Sequence, residues 1–162
     1  MAIVLIRRCV VVTAISLLLG GCGTKDKLVP KGLPGLPNPK QKFSVQVNVS
    51  DGANDNSPIP VDFVVVVDKK LQAEVAKLAA KDWFERRIQI VRDFPGKVEV
   101  VSWEWVPGQH AGPISVAVNP RARLGYFFAN YLNGGDHRAV VDLKSAVLLN
   151  LGPQDFAVQP LR

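Results

Sequence analysis

The sequence predicts a mainly β protein, a β-sandwich with a short two-helix insertion after its second strand. From Phe43 onward, short β-branched and aromatic segments alternate with clusters of Gly, Pro, Asn and Asp, a spacing typical of sandwiches. Between about residues 69 and 94 the apolar period changes from that of a strand to that of a helix. The globular part, residues 43–162, is long enough for one domain with its own core.

The first 22 residues have the organisation of an export signal. Two arginines precede an apolar run over residues 9–19, which is too short to span a bilayer. The run ends in Leu19-Gly20-Gly21-Cys22, which resembles a bacterial lipobox. The resemblance implies a lipoprotein signal peptide over residues 1–21, acylation of Cys22, and outer-membrane sorting favoured by Gly23. An ordinary secretory signal that leaves Cys22 as a free thiol is the alternative.

Residues 22–42 are predicted to tether the lipidated cysteine to the domain. Lysines recur through this segment together with four prolines: Pro30, Pro34, Pro37 and Pro39. Such a composition cannot form a core, and proline favours extended polyproline II geometry.

Charge and cysteine content exclude two other classes of protein. The chain has 20 Lys and Arg against 14 Asp and Glu, spread without a basic block, so it does not indicate a nucleic-acid partner. The only cysteine besides Cys22 is Cys9, within the predicted signal, so the core is expected to form without a disulfide.

The first two strands are predicted on either side of a polar loop. Residues 43–49 alternate strictly, which indicates a half-buried strand. Residues 50–58 are turn formers apart from Ala53. Residues 59–67 alternate at first and then become apolar on both faces, so the later half of this strand is expected to be covered on both sides. Pro60 stands near its start, where a missing donor matters least.

The helical insertion is predicted as two short helices with a bend near Asp82. The first has Leu71, Val75 and Leu78 on one face. Asp82 is predicted to be the N-cap of the second, with Glu85 completing a capping box. The second helix has its own apolar stripe and is expected to end at Phe94-Pro95-Gly96. The stripe consists of Phe84, Ile88 and Val91.

The remainder of the chain returns to strand patterns. Further strands are predicted over 98–106, 114–118, 124–132, 138–143, 146–151 and 156–158. A Pro107-Gly108 turn follows the first of them.

No catalytic or metal-binding motif is found, so we predict no enzyme activity, no metal and no cofactor. His110 and His137 both lie in Gly-rich turns and lack a second ligand at metal-binding spacing. Asp136-His137 could assist a serine nucleophile, but a polar turn is the favoured interpretation. Asn54-Asp55-Asn56 resembles part of a calcium loop that lacks its Gly and terminal Glu.

Four aromatic residues allow two interpretations. They could stack on a sugar, or they could face inward in a sandwich covered by a helix, and the core is favoured for most of them because large aromatics dominate burial. They are Trp83, Phe84, Trp103 and Trp105.

The order of these segments resembles the TssJ-type outer-membrane lipoproteins of the type VI secretion membrane complex. The residues that carry the resemblance are Val45-Gln46-Val47-Asn48-Val49, Ser57-Pro58-Ile59-Pro60-Val61, Asp82-Trp83-Phe84, Trp105-Val106-Pro107-Gly108-Gln109 and Gly125-Tyr126-Phe127-Phe128-Ala129. It implies a transthyretin-like sandwich without catalysis, lipid-anchored at the periplasmic face of the outer membrane.

The resemblance also implies a partner and a binding loop. Members of this family dock the periplasmic domain of an inner-membrane subunit, TssM, largely through the loop between the first two strands. Here that loop is residues 50–58, and the candidate partner-binding residues are Asp51, Asn54, Asp55, Asn56 and Ser57. A lipoprotein that binds a glycan or lipid through exposed Trp103 or Trp105 is the alternative function.

Overall fold

The computed structural model describes residues 39–161. The predicted signal peptide, the lipidation at Cys22 and the tether as far as residue 38 lie outside the described residues. Between residues 39 and 161, none of the helices has the length and apolar character needed to cross a membrane.

Two four-stranded sheets form a sandwich, and two helices follow its second strand, as predicted. The strands are β1 (Gln41–Val49), β2 (Ile59–Val66), β3 (Val98–Trp105), β4 (His110–Val118), β5 (Leu124–Ala129), β6 (Arg138–Asp142), β7 (Val147–Leu151) and β8 (Phe156–Pro160), and the helices are α1 (Lys69–Val75) and α2 (Ala80–Asp93). The sheet orders are β4-β1-β7-β8 and β3-β2-β5-β6. Neighbouring strands are antiparallel except β1 and β7, which are parallel. Relative to prediction, β4 begins four residues earlier and β5 ends three residues earlier.

The main core lies between the two sheets. Phe43 of β1 stacks on Phe63 of β2 at 5.0 Å between ring centroids, and Phe63 contacts Phe127 of β5 at 4.8 Å. The ring of Phe63 lies against the backbone of Gly125, where an added Cβ would be only 2.6 Å from the ring. Only glycine therefore fits at this position of β5.

Replacing Gly125 with alanine is expected to lower the free energy of unfolding by about 1–3 kcal/mol, because the added methyl would overpack the core. Denaturant unfolding would measure the loss. Gly134→Ala is the matched control, since nothing lies within 4 Å of the Cβ it would add. Equal stability of the two variants would contradict the packing of Phe63 on Gly125.

A second core lies between the outer face of the β3-β2-β5-β6 sheet and the helices. Val64 and Val66 of β2 contribute to it, and Trp83 of α2 stacks on Phe128 of β5 at 5.1 Å between ring centroids. The later half of β2 is thus buried on both faces, as the sequence predicts.

Helix α1 begins where predicted. The Asp68 Oδ1 atom accepts hydrogen bonds from the backbone N–H groups of Lys70 and Leu71, both at 3.0 Å. Leu71 and Val75 are buried against the sheet, while Leu78 lies beyond the end of the helix and is half-buried.

The start and the buried face predicted for α2 are wrong. The helix begins at Ala80, so Asp82 lies in its first turn and does not cap it, and the capping box with Glu85 is absent from the described helix. Ile88 is 62% exposed and Val91 is 39% exposed, and the buried residues are Ala80, Trp83 and Ile90. The helix is rotated because Trp83, rather than Phe84, packs on Phe128.

A buried carboxylate stabilises this rotation of α2. Asp62 of β2 is only 1% exposed and faces the helix, although the alternation of β2 predicts a solvated position. Its Oδ2 atom accepts a 2.8 Å hydrogen bond from Trp83 Nε1. Arg87 Nη1 donates to both carboxylate oxygens, at 2.9 and 2.7 Å. Arg87 lies one helical turn after Trp83, on the same face of α2, so both side chains reach Asp62.

Candidate functional site

Four connections between strands meet at one end of the sandwich. They are residues 50–58 between β1 and β2, 106–109 between β3 and β4, 130–137 between β5 and β6, and 152–155 between β7 and β8. The register places the ends of these strands side by side, with Val49 opposite Leu151 and Ile59 opposite Trp105. We call this surface the loop end. The chain enters β1 at the opposite end of the sandwich.

The β1–β2 loop has a defined left-handed turn at its centre. Asn54, Asp55 and Asn56 have φ values of 50°, 52° and 58°. Asn and Asp are the non-glycine residue types that adopt this region most readily. The Asn-Asp-Asn sequence therefore gives this polar loop a defined backbone conformation.

Asn54 connects the β1–β2 loop to the other loops. Its Oδ1 atom accepts a 2.7 Å hydrogen bond from the Leu132 backbone N–H, and its Nδ2 donates to the Pro58 carbonyl at 2.9 Å. Its backbone N–H donates to the Pro153 carbonyl at 2.9 Å. Asn54 is 2% exposed, so it does not present the free acceptor that the sequence predicts. It organises the surface instead.

The other four predicted partner-binding residues remain at the surface. Asp51, Asp55 and Asn56 are exposed, and Ser57 is half-buried. Leu132, which the sequence does not single out, is an apolar side chain that is 69% exposed and is joined to the β1–β2 loop by its hydrogen bond to Asn54. Leu132 is held in this position by that hydrogen bond, to a residue 78 positions away along the chain, and by the bond from the neighbouring Asn130 backbone N–H to the Pro60 carbonyl at 2.8 Å.

Replacing Asn54 with alanine is expected to cost about 1–3 kcal/mol of folding stability, because the amide of Leu132 loses its acceptor. Asn56→Ala is the matched control, since Asn56 is also left-handed but its side chain is exposed. Denaturant unfolding of the two variants would separate the contribution of the Asn54 side-chain hydrogen bonds to stability from that of the left-handed backbone preference. Equal losses in the two variants would show that the Asn54 side chain has no organising role.

His137 forms part of a polar cluster that joins two loops. It is buried, with Nδ1 at 3.0 Å from Asp155 Oδ1 and Nε2 at 3.1 Å from the Asn133 carbonyl. The Tyr131 ring lies 4.9 Å from it, and the Tyr131 hydroxyl lies 3.1 Å from the Asp155 carbonyl. Both ring nitrogens of His137 thus have a polar partner, so the role of this cluster is structural: it joins the two loops.

Burial raises the pKa of Tyr131, and the charge of Asp155 adds to the effect. A folded-state pKa above the unfolded value of about 10 means that its contribution to stability is complete below pH 10 and is lost as the pH rises further. Tyr131→Phe is expected to cost about 1 kcal/mol at neutral pH and to weaken the alkaline loss. Thermal midpoints between pH 7 and 11 would test this, and an unchanged alkaline slope would contradict it.

The loop end is acidic although the whole chain is basic. Its four loops contain Asp51, Asp55, Asp136 and Asp155 and no Lys or Arg. Asp155 lies against His137, and Asp136 is 4.0 Å from Arg138. Asp51 and Asp55 have no basic side chain paired with them among the described residues, so they are the two unpaired carboxylates of the loop end, although Asp136 and Asp155 are also exposed.

A surface pocket of about 650 Å³ continues the loop end toward α2. Its lining includes the apolar side chains of Phe84 and Leu132, the polar Asn133, and one base and one acid of α2, Lys81 and Glu85. Phe84, expected in the core, is half-buried at this pocket. The arrangement offers apolar contacts next to acceptors, which suits protein recognition.

The tryptophans do not form an exposed stacking surface. Trp83 and Trp105 are buried, and Trp103 is half-buried and packed against the main core. The glycan- or lipid-binding alternative depends on exposed Trp103 or Trp105 and so loses its main support. Within residues 39–161, no group of three or more His, Cys, Asp or Glu could bind a metal ion.

The structure is a two-sheet scaffold that brings four connecting loops together at one end. No protein-family model matches the chain, and no curated protein sequence matches it significantly. Solved structures do match, and their fold is that of the TssJ lipoproteins, a transthyretin-like sandwich.

Three solved structures illustrate the match. The type VI secretion lipoprotein TssJ1 from Pseudomonas aeruginosa has a TM-score of 0.60 and 15% identity, covering 76% of this chain and 98% of that chain. Lip from Serratia marcescens, a membrane-bound component of the type VI secretion system, has a TM-score of 0.57 and 14% identity, with 75% and 97% covered. A chain of a type VI membrane complex has a TM-score of 0.58 and 11% identity, with 75% and 99% covered.

Proposed function

We propose that this protein is a non-catalytic outer-membrane lipoprotein that anchors a type VI secretion membrane complex. It would do so by docking the periplasmic domain of a TssM-like inner-membrane subunit. The observation that supports this proposal best is the loop end, a preorganised acidic and apolar surface on a TssJ-type fold.

The proposed anchor is acylated Cys22. Buried acyl chains contribute about 0.8 kcal/mol per CH₂, so two or three chains keep a protein on the bilayer stably. About 20 residues of extended tether at ~3.1 Å each would reach roughly 60 Å. Because the chain enters β1 at the end opposite the loop end, an anchor on that side leaves the loops free to face the periplasm.

The proposed docking surface centres on Asp51, Asp55 and Asn56, with Leu132 as its apolar contact. Hydrogen bonds of the Asn54 side chain with Pro58 and Leu132 hold the β1–β2 loop against the β5–β6 loop before binding, so association costs little further ordering. Exposed carboxylates favour a partner with a basic surface and accelerate its approach.

The proposal is tested by purifying the full-length lipidated protein from membranes after chemical crosslinking. We expect outer-membrane fractionation and recovery of the TssM-like subunit in crosslinks to the loop end. The Cys22→Ser variant should leave the membrane fraction. A parent protein that lacks acylation at Cys22 and is released from the membrane would contradict the anchor. Crosslinks to other proteins only would contradict the secretion role.

A further inference from the structure

The end of the sandwich opposite the loop end has a patch of exposed basic side chains. They lie at the start of β1, in the β4–β5 turn and just after β6, and we call them the basic patch: Lys40, Lys42, Arg121, Arg123 and Lys144. Hydrogen bonds join the three segments. The Gln41 side chain donates to the Leu143 carbonyl at 2.9 Å, and the Leu143 backbone N–H donates to the Arg123 carbonyl at 3.0 Å. The patch is therefore continuous.

Acidic residues offset only part of this charge. Glu99 Oε1 lies 3.3 Å from Lys40 Nζ, and Asp142 precedes the patch at the end of β6. The side chains of Arg121, Arg123 and Lys144 are exposed. The domain thus has a basic end and an acidic loop end.

The chain reaches the domain at the basic patch. Residues 1–38 precede Pro39, which stands next to Lys40, so any anchor at Cys22 connects to this end. We propose that the basic patch binds the anionic phospholipid headgroups of the leaflet that carries the anchor, so that the loop end points away from the membrane. This proposal rests on the lipid anchor proposed above but not on the identity of the docking partner.

The electrostatic attraction between the basic patch and an anionic surface is strong enough to orient a domain that is already anchored there. A basic residue near an anionic surface strengthens binding by about fivefold, and the effect decays within a Debye length of about 8 Å at physiological salt. Because the anchor raises the effective concentration of the domain at the surface, a few such residues can determine its orientation.

A single introduced cysteine allows a direct test in the lipidated mature protein. Cys22 would be blocked by its thioether and Cys9 removed with the signal, so an introduced thiol would be the only one available for a fluorophore. Ser145→Cys labels the basic patch, and Gln154→Cys labels the loop end. Each protein is reconstituted in phosphatidylethanolamine vesicles, with or without phosphatidylglycerol, that contain a headgroup-attached quencher.

We expect at least fivefold stronger quenching at position 145 than at position 154, dependent on phosphatidylglycerol and lost at high salt. A triple reversal in the patch should remove the difference: Arg121→Glu, Arg123→Glu and Lys144→Glu. A matched reversal on the helices, with the same change in charge, should preserve it: Lys77→Glu, Lys81→Glu and Arg86→Glu.

Three results would overturn the proposal. They are equal quenching at the two positions, quenching independent of phosphatidylglycerol, and a response only to added peptidoglycan fragments, which would assign the patch to another anionic partner. A protein that fails to float with the vesicles, or whose Cys22 also takes up the fluorophore, would overturn the anchor itself. The vesicles contain no partner subunit, so these results do not depend on docking. The docking proposal is tested separately by the crosslinking experiment.

Discussion

Replacing Arg87 with methionine is expected to lower the free energy of unfolding by about 3–5 kcal/mol, because it leaves the carboxylate of Asp62 buried without a charged partner. Asp62 is 1% exposed and receives two of its three hydrogen bonds from Arg87. Methionine retains most of the apolar stem, so the loss measures the ion pair together with the smaller contribution of the guanidinium, which lies 4.7 Å from the centroid of the Phe84 ring. Denaturant unfolding monitored by tryptophan fluorescence is suitable, since Trp83 contacts the same carboxylate.

Arg86→Met is the matched control for this prediction. Arg86 is the preceding residue of α2 but is exposed, so its replacement should change stability by less than about 0.5 kcal/mol. The double variant Asp62→Leu with Arg87→Met should recover part of the loss, because it removes the buried charge together with its partner. A stable Arg87→Met protein would show that Asp62 does not need Arg87.

Reversing the charge of both Asp51 and Asp55 to lysine is expected to weaken binding to a basic TssM-like periplasmic domain by about tenfold or more, with most of the change in the association rate and its salt dependence. Both side chains are exposed, so the core is untouched, but lysine at the left-handed position of Asp55 is expected to lower the free energy of unfolding by about 1–2 kcal/mol without unfolding the domain. Association and dissociation rates would be measured at several salt concentrations, with the partner domain immobilised on a surface and the soluble domain of this protein flowing over it.

Charge reversal is a better test than deletion of the β1–β2 loop. Ala53 and Asn54 are buried, so a deletion would remove part of the core along with the surface. Asp93→Lys with Asp142→Lys is the matched control, because these exposed acids lie at the opposite end of the domain. If the control weakens binding as much as the loop variant, the loop end is not the docking surface.

Local patterns in the sequence predict most of the fold. Strict alternation in β1, the doubly apolar end of β2 and the Asp68 cap each depend on neighbours in the chain, and the structure confirms them. The rotation of α2 depends on Asp62, which is 25 residues from Arg87, so the stripe of Phe84, Ile88 and Val91 is a misleading local signal.

The sequence predicts only part of the candidate site, because only part of it depends on residues that are neighbours in the chain. Polar composition identifies the β1–β2 loop and its exposed acids, Asp51 and Asp55. The buried role of Asn54 and the position of Leu132 arise from a contact across 78 residues, which periodicity does not encode. The run of three Asn and Asp residues is the one local signal for the left-handed turn.

We propose that the loop end docks the inner-membrane subunit while the opposite end of the domain faces the outer membrane. Site-specific photocrosslinking in intact cells tests it most directly, with the photoreactive residue placed at Asn56 or at Ser145 of the full-length protein. We predict crosslinks to the TssM-like subunit from position 56 and none from position 145. Crosslinks to that subunit from position 145 alone, or from neither position, would contradict the claim.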